Sequence, residues 1–267
     1  MIDLHIHTSF SSDSTEEMEN YIIKAIENGE SNIIGFTEHF DFDYAYSGLL
    51  ATYVDFVGFF DKIAEMKVKY ADKIKILVGA EFGYADNENA MQLANMIWDK
   101  YPLDYAINSI HLVDFEDLWF EKYFKNKTKQ EAYSKYLQWI RKSLDTKTKY
   151  QVVAHLGYCQ RKAIYDDKIL HYDDFADQID DIFKTMIEKN IILEINTSTR
   201  GVCDLIPSVE MLIRYKELGG ELITFSSDAH GVDRLFDRYE YVCNVAKELG
   251  FKGFAYYENG EINIYEI

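Results

Sequence analysis

The feature of this chain that most constrains its fold is a regular alternation between short apolar runs and stretches with helical spacing. In the first unit, MIDLHIH is followed by apolar residues at positions 18, 21, 22, 25 and 26, which is the spacing of one helix face. Seven such units succeed one another without a linker. Strands that alternate with helices form a parallel sheet covered on both faces, so the sequence predicts an α/β protein, a barrel of (β/α)7 type.

The seven predicted strands are the runs MIDLHIH, NIIGFTEH, KIKILVGAEF, LDYAINSIH, QVVAH, IILEINTS and LITFSSDAH. Helices are predicted between them, among others over about 14–28, 53–70 and 88–100. Ser14 with Glu17, and Thr128 with Glu131, have the spacing of a capping box, which predicts a helix start at each serine or threonine. Pro207 is predicted to lie in the first turn of a further helix.

The chain is predicted to be a single domain over residues 1–267, because it has only two prolines and no low-complexity stretch that would mark a boundary. It closes with two β-rich runs joined by Asn259-Gly260, which predicts a hairpin. No segment approaches the roughly 18 apolar residues of a membrane span, and Asp3 and His5 interrupt the N-terminus. We therefore expect a cytoplasmic protein without a membrane partner.

The charge balance disfavours a nucleic-acid partner. The formal net charge is −18, from 46 acidic and 28 basic side chains, whereas binding to a polyanion needs clustered lysine and arginine. The three cysteines, Cys159, Cys203 and Cys243, are odd in number and widely spaced, so we expect buried reduced thiols and not a disulfide framework. A small-molecule substrate fits this composition better than a nucleic acid.

Six of the seven histidines stand at the ends of the predicted strands. In a barrel, the carboxyl ends of the strands gather the functional residues at one face. His5 and His7 are two residues apart, so on a strand both project from the same side. The other strand ends supply His39, His111, His155 and His230, and the acidic residues Glu38, Glu81, Glu194 and Asp228. Histidine with carboxylate suits zinc, manganese or iron, so the pattern predicts a multi-metal hydrolytic site, with His171 left as a surface residue.

The motifs DLHIHTSFSSD, FTEHFD, GAEFGY, INSIHLV, VVAHLG, LEINTS and SSDAH span most of the chain. In this order they resemble the polymerase-and-histidinol-phosphatase (PHP) family, and within it the monofunctional histidinol-phosphate phosphatases. The resemblance implies a distorted (β/α)7 barrel with three divalent transition metals. It implies the hydrolysis of L-histidinol phosphate to L-histidinol and phosphate, a step of histidine biosynthesis.

The resemblance also implies a metal-ligand set. His5, His7, Glu81 and Asp228 would hold the first metal, and Glu81 would bridge to a second metal held by His111 and His155. His39, His230 and Asp13 would hold the third. Some family members have a histidine where Asp13 stands, so this position departs from the family pattern.

Adjacent divalent metals lower the pKa of a bridging water and supply hydroxide near neutral pH. Arg161 and Arg200 follow two of the predicted strands, and the guanidinium fork suits phosphate oxygens, so we expect both to bind phosphate. The acid that protonates the leaving alkoxide is Asp228, His230 or a metal-bound water, and the sequence does not rank them. Glu116, Asp117 and Trp119 are candidates for recognising the amine and the imidazole.

Three other functions are compatible with the pattern. Members of the PHP family also act on phosphotyrosine, nucleotides or nucleic-acid ends. Amidohydrolases share the HxH motif of the first strand, but they rely on a carboxylated lysine where this chain has Glu81 as the expected bridge. A non-catalytic metal-binding module is the third alternative. The sequence does not indicate an oligomeric state.

Overall fold

The computed structural model describes residues 1–29, 31–42 and 55–267. Its strands in chain order are β1 (Ile2–Ile6), β2 (Ile33–Phe36), β3 (His39–Phe40), β4 (Lys75–Gly83), β5 (Tyr105–Ser109), β6 (Leu112–Val113), β7 (Glu116–Asp117), β8 (Val152–Val153), β9 (Ile192–Asn196), β10 (Ile223–Ser226), β11 (Gly253–Glu258) and β12 (Glu261–Glu266). Its α-helices are α1 (Met18–Glu27), α2 (Phe56–Lys69), α3 (Glu88–Lys100), α4 (Lys129–Ser143), α5 (Ala176–Glu188), α6 (Val209–Glu217) and α7 (Tyr239–Glu248).

Seven parallel strands form a barrel in the order β1, β2, β4, β5, β8, β9, β10. The two ends of this order meet just beyond β10, where the backbone N–H of His7 donates to the carbonyl of Ala229 at 2.9 Å. The prediction of a (β/α)7 barrel is therefore confirmed. The short strand β3 pairs with the end of β4 and sets His39 opposite Glu81.

The barrel interior contains one large side chain that explains two glycines. The hydroxyl of Tyr105 donates to the carbonyl of Leu4 at 2.7 Å, so this tyrosine extends from β5 towards β1. A Cβ at Gly35 on β2 or at Gly79 on β4 would collide with the Tyr105 ring or its hydroxyl. Both strands have glycine at these positions because the tyrosine occupies the space of a side chain.

Helix α1 begins later than its capping-box spacing predicts. Its first residue is Met18, and the N-cap Glu17 makes no side-chain cap, so the predicted start at Ser14 is wrong. The Ser14 hydroxyl lies instead within hydrogen-bond distance of the carbonyls of His7, at 3.2 Å, and His230, at 3.1 Å. Ser14 thus ties the loop after β1 to the loop after β10.

The other predicted helix boundaries agree more closely. Thr128 and Glu131 form the expected capping box at the start of α4. The hydroxyl of Ser208 accepts from the Met211 N–H and caps α6, so Pro207 lies just before this helix and its predicted place in the first turn is wrong. Of the predicted helix over 53–70, α2 confirms the part from Phe56, while residues 53 and 54 lie outside the described residues.

Two hairpins complete the fold. Strands β11 and β12 pair in antiparallel fashion around Asn259 and Gly260, both with positive φ, so the predicted hairpin is confirmed. The pair β6–β7 follows His111 and was not expected from the sequence. The cysteines are free thiols, of which only Cys159 is buried. Among the helices that the structure describes, none is long and apolar enough to cross a bilayer.

Candidate metal centre

Glu81, buried on β4, is the centre of the histidine cluster. Its Oε2 faces the rings on β1, just after β1 and on β3, and its Oε1 faces the rings that follow β5 and β8. Oε2 lies 3.2 Å from His5 Nε2, 3.4 Å from His7 Nε2 and 2.8 Å from His39 Nδ1, while Oε1 lies 3.3 Å from His111 Nε2 and 3.1 Å from His155 Nε2. One carboxylate therefore stands between two groups of imidazoles, as a bridging metal ligand would.

Asp228 joins the first of these groups. Its Oδ1 lies 3.9 Å from His5 Nε2 and 3.6 Å from His7 Nε2. Among the described residues, the two Nε2 atoms and Glu81 Oε2 are buried without a hydrogen-bond partner. Buried polar atoms of this kind are rare unless they serve a ligand, and three of them converge here. The donor set thus fits a divalent metal ion.

The third predicted group is also assembled, at a more open position. Asp13 Oδ2 lies 3.0 Å from His230 Nε2 and 3.4 Å from His39 Nε2. The Asp13 side chain is 52% exposed, in contrast to the buried Glu81. The structure therefore brings all nine predicted ligands into one cluster, and their role as ligands stays a prediction.

The charges of the cluster favour cation binding. Burial favours the neutral form of Glu81, but the surrounding His39, His5 and His111 outweigh it and hold the pKa of this carboxyl well below its usual range. Burial also opposes a charge on His7, and together with His39 and His230 it lowers the pKa of His7 well below its ordinary value. Burial opposes a charge on His5, His39 and His111, but the nearby carboxylates outweigh it and raise the pKa of each ring well above its ordinary value, so a metal ion would displace protons from these three rings.

Glu194 and Glu38, which the strand-end pattern offers as ligands, orient histidines instead. The Nδ1–H of His5 donates to Glu194 Oε1 at 2.7 Å, which leaves Nε2 of that ring for the cluster. The Nδ1–H of His7 donates to the Ser11 hydroxyl at 3.2 Å, and Ser11 donates to Glu38 Oε2 at 2.5 Å. A buried carboxylate thus orients each of His5 and His7, directly for His5 and through the Ser11 hydroxyl for His7.

Asp41 is the residue of the cluster that the sequence analysis missed. Its Oδ1 lies 3.0 Å from His111 Nδ1, and its Oδ2 lies 3.6 Å from His39 Nδ1. With these two histidines it forms a further group that could hold a metal ion. The signal was present in the motif FTEHFD, where Asp41 follows His39 by two residues.

The cluster forms the floor of a cavity of about 530 Å³ that both predicted phosphate-binding arginines line. Arg161 is buried and donates to Asp228 Oδ2 at 2.9 Å and to Asn196 Oδ1 at 3.1 Å. Arg200 is exposed, and its guanidinium lies 5.4 Å from the centre of the Trp119 ring. One arginine is therefore fixed beside the cluster, and the other reaches into the cavity from a loop.

Asp117 and Trp119 line the same cavity, together with Phe120 and Tyr158. Asp117 Oδ1 accepts from the backbone N–H of Trp119 at 2.7 Å, which fixes the chain after β7. Glu116, the other sequence candidate, pairs with Lys127 at 2.9 Å. His171 is 46% exposed and pairs with Asp167, as expected for a surface residue.

The chain belongs to the PHP domain family, whose model matches residues 3–198. Among its relatives are a probable histidinol-phosphatase of Clostridium acetobutylicum, 32% identical over 94% of this chain and 95% of the relative, and a histidinol-phosphatase of Lactococcus lactis, 30% identical over 98% of this chain and 96% of the relative. The resemblance found in the sequence motifs is therefore confirmed.

Two solved structures are also similar. The crystal structure of histidinol phosphate phosphatase from Lactococcus lactis, complexed with zinc, L-histidinol and phosphate, has a TM-score of 0.87 and 28% identity and covers 98% of each chain. A putative histidinol phosphatase from Listeria monocytogenes, 20% identical, shares the fold with a TM-score of 0.76 over 91% of this chain and all of that one. Together with the donor geometry, the zinc-bound relative supports a divalent-metal site in this chain.

Proposed function

We propose that this protein is a metal-dependent phosphomonoesterase that hydrolyses L-histidinol phosphate to L-histidinol and phosphate in histidine biosynthesis. The observation that carries the proposal is that one cavity holds both the cluster around Glu81 and the two arginines Arg161 and Arg200. A metal-donor cluster alone would suit many hydrolases, whereas two guanidinium groups above it suit a phosphate. The relative that was crystallised with zinc, L-histidinol and phosphate supports the choice of substrate.

Three divalent metals, zinc, manganese or iron, would occupy the three groups of donors. The proposed ligands are His5, His7, Glu81 and Asp228 for the first, Glu81, His111 and His155 for the second, and Asp13, His39 and His230 for the third. When bound, such ions lower the pKa of a water, which supplies hydroxide near neutral pH, and neutralise charge on the phosphate.

The arginines would bind the phosphate in different ways. The Nη2 group of Arg161 donates to Asp228 and Asn196, and its Nε is buried without a hydrogen-bond partner among the described residues. Its orientation is therefore fixed before a substrate arrives, which lowers the entropy lost on binding. Arg200 lines the same cavity from an exposed position and would bind the phosphate from the solvent side.

Asp228 and His230 are the proposed groups for proton transfer to the leaving alkoxide. Both line the cavity beside the proposed metal ligands. Asp228 is held by Arg161, whereas the His230 ring is 21% exposed. Because a metal-bound nitrogen carries no proton, His230 can act as the acid only in a state in which Nε2, 3.0 Å from Asp13 Oδ2, is not a metal ligand.

The leaving group would lie against the wall formed by Asp117, Trp119 and Phe120. A carboxylate suits the ammonium group of histidinol, and an indole face suits its imidazole ring. A small-molecule substrate agrees with a cavity of about 530 Å³. The cytoplasmic location and the lack of a nucleic-acid partner stay predictions from the sequence.

The test is a comparison of substrates with one enzyme preparation. The purified protein, loaded with zinc or manganese, should release phosphate from L-histidinol phosphate with a kcat/KM at least a hundredfold above that for phosphotyrosine, a nucleoside monophosphate or glycerol phosphate. Equal rates on all four would refute the substrate assignment and leave a general phosphatase. Elemental analysis of the same preparation should give about three metals per chain, and a count of two would contradict the proposed ligand set.

A further inference from the structure

Arg238 does not line the cavity of about 530 Å³, but it lines a neighbouring cavity with Arg200 and His230, and it holds the loop that carries Arg200. We define the Arg200 loop as residues 197–205. The loop is closed at its base by Asn196 and Ile206, whose backbones exchange two hydrogen bonds of 2.8 and 3.1 Å. It follows β9 and brings Arg200 to the mouth of the cavity.

The guanidinium of Arg238 bridges both arms of this loop. Its Nη1 donates to the carbonyl of Asp204 at 2.7 Å, on the returning arm. Its Nη2 donates to the carbonyl of Thr197 at 3.1 Å and to the hydroxyl of Thr199 at 3.3 Å, on the outgoing arm. A planar fork with fixed donors can hold two arms at once, whereas an ammonium group has no such fixed geometry.

The Arg200 loop needs such a restraint because of its backbone conformation. Arg200 has φ of 54° and Gly201 has φ of 76°, so two successive residues are in the left-handed region. For a residue with a Cβ this region is unfavourable, and the surrounding structure must impose it. The Arg200 side chain is exposed, so its direction depends on the loop more than on packing around the guanidinium.

We propose that Arg238 is a positioning residue for phosphate binding. By tying Thr197 and Thr199 to Asp204 it holds the Arg200 loop in the conformation that presents Arg200 to the cavity. It acts through Arg200 and does not itself contact the substrate. The inference rests on the proposed function, in which Arg200 binds the phosphate of the substrate.

The test compares Arg238→Lys with Arg141→Lys as a matched control. Arg141, on α4, pairs with Asp145 at 2.6 Å and with Asp181 at 2.7 Å and does not line the cavity. Arg238→Lys should raise KM for L-histidinol phosphate about tenfold and change kcat less than twofold. The reason is that a less restrained Arg200 must be ordered on binding, which weakens the binding of the substrate and of the transition state by the same factor. The affinity for inorganic phosphate, measured by calorimetry on the metal-loaded protein, should fall by the same factor. Arg141→Lys should change neither quantity.

A second comparison separates positioning from simple stabilisation. In an Arg200→Met background, Arg238→Lys should have no further effect on KM or on phosphate affinity, because its effect passes through Arg200. Thr199→Val, which removes one acceptor and keeps the side-chain shape, should raise KM by a smaller factor than Arg238→Lys.

Two results would overturn the inference. The first is a phosphate affinity in Arg238→Lys equal to that of the unmodified protein. The second is an effect of equal size with and without Arg200. Failure of the proposed function would look different, since the unmodified protein would then not hydrolyse L-histidinol phosphate, while the calorimetric comparison with inorganic phosphate would still decide the role of Arg238.

Discussion

Replacement of Glu194 by glutamine should weaken metal binding although the residue lies outside the proposed ligand set. Three donors point at this buried carboxylate: His5 Nδ1 at 2.7 Å, the backbone N–H of His155 at 2.6 Å and Asn196 Nδ2 at 3.0 Å. In Glu194→Gln the amide must turn its NH2 group towards at least one of them. If it faces His5, the ring must move its proton to Nε2, the atom that faces Glu81.

A loss of zinc affinity is expected because the glutamine amide cannot accept hydrogen bonds from all three donors. Carboxylates that hold a metal-ligating histidine typically contribute 10- to 100-fold to metal affinity or activity, which is about 1.4–2.7 kcal/mol. Glu194→Gln should therefore raise the zinc dissociation constant by one to two orders of magnitude, measured by competition with a chromophoric chelator at constant pH. The control is Glu217→Gln, which removes an exposed carboxylate paired with Arg214. A folded Glu194→Gln protein with zinc affinity within twofold of the unmodified protein would refute the assigned orientation of His5.

Four further outcomes are expected. His7→Ala and Asp228→Asn should each abolish turnover while circular dichroism shows a retained fold, and full activity in both variants would contradict their assignment as ligands. Trp119→Ala should raise KM for L-histidinol phosphate about fivefold, since an aromatic contact contributes roughly 0.5–1.5 kcal/mol, and should change KM for glycerol phosphate less. Gly35→Ala should lower the free energy of unfolding by about 1–3 kcal/mol, because the new methyl group collides with Tyr105; an unchanged urea midpoint would argue against that packing. Removal of the metals with a chelator should lower the melting temperature, because free metal at 100 times its dissociation constant adds about 2.7 kcal/mol per site, and readdition should restore it.

The sequence predicted the barrel because strand and helix periodicities are local properties of the chain. Helix α3 occupies the predicted residues, from Glu88 to Lys100, and the capping box at Thr128 begins α4. Ser14 has the same local signal but is used differently, since its hydroxyl reaches the carbonyls of His7 and His230. That use depends on a contact across 216 positions of the chain, which no local pattern contains.

The location of the candidate site was predictable from the strand pattern, but the role of each carboxylate in it was not. Parallel strands bring their carboxyl ends to one face, so histidines at strand ends had to lie close together. The pattern did not distinguish a carboxylate that faces the cluster from one that holds a histidine from behind. Glu81 and Glu194 both stand on barrel strands among apolar residues, and only the contacts separate their roles. Arg238 gave no signal, because its partners are mainly backbone carbonyls.

The position of Glu81 at the centre of the cluster has a consequence for how the protein would acquire the proposed metals. The side chains around it come from the first strand of the barrel, from the middle strands and from the last, between His5 and His230. A growing polypeptide that has not yet been extended past residue 230 lacks part of this donor set. The first two histidines leave the ribosome long before their partners exist. The complete donor set for the proposed ions therefore exists only after nearly the whole chain has been made.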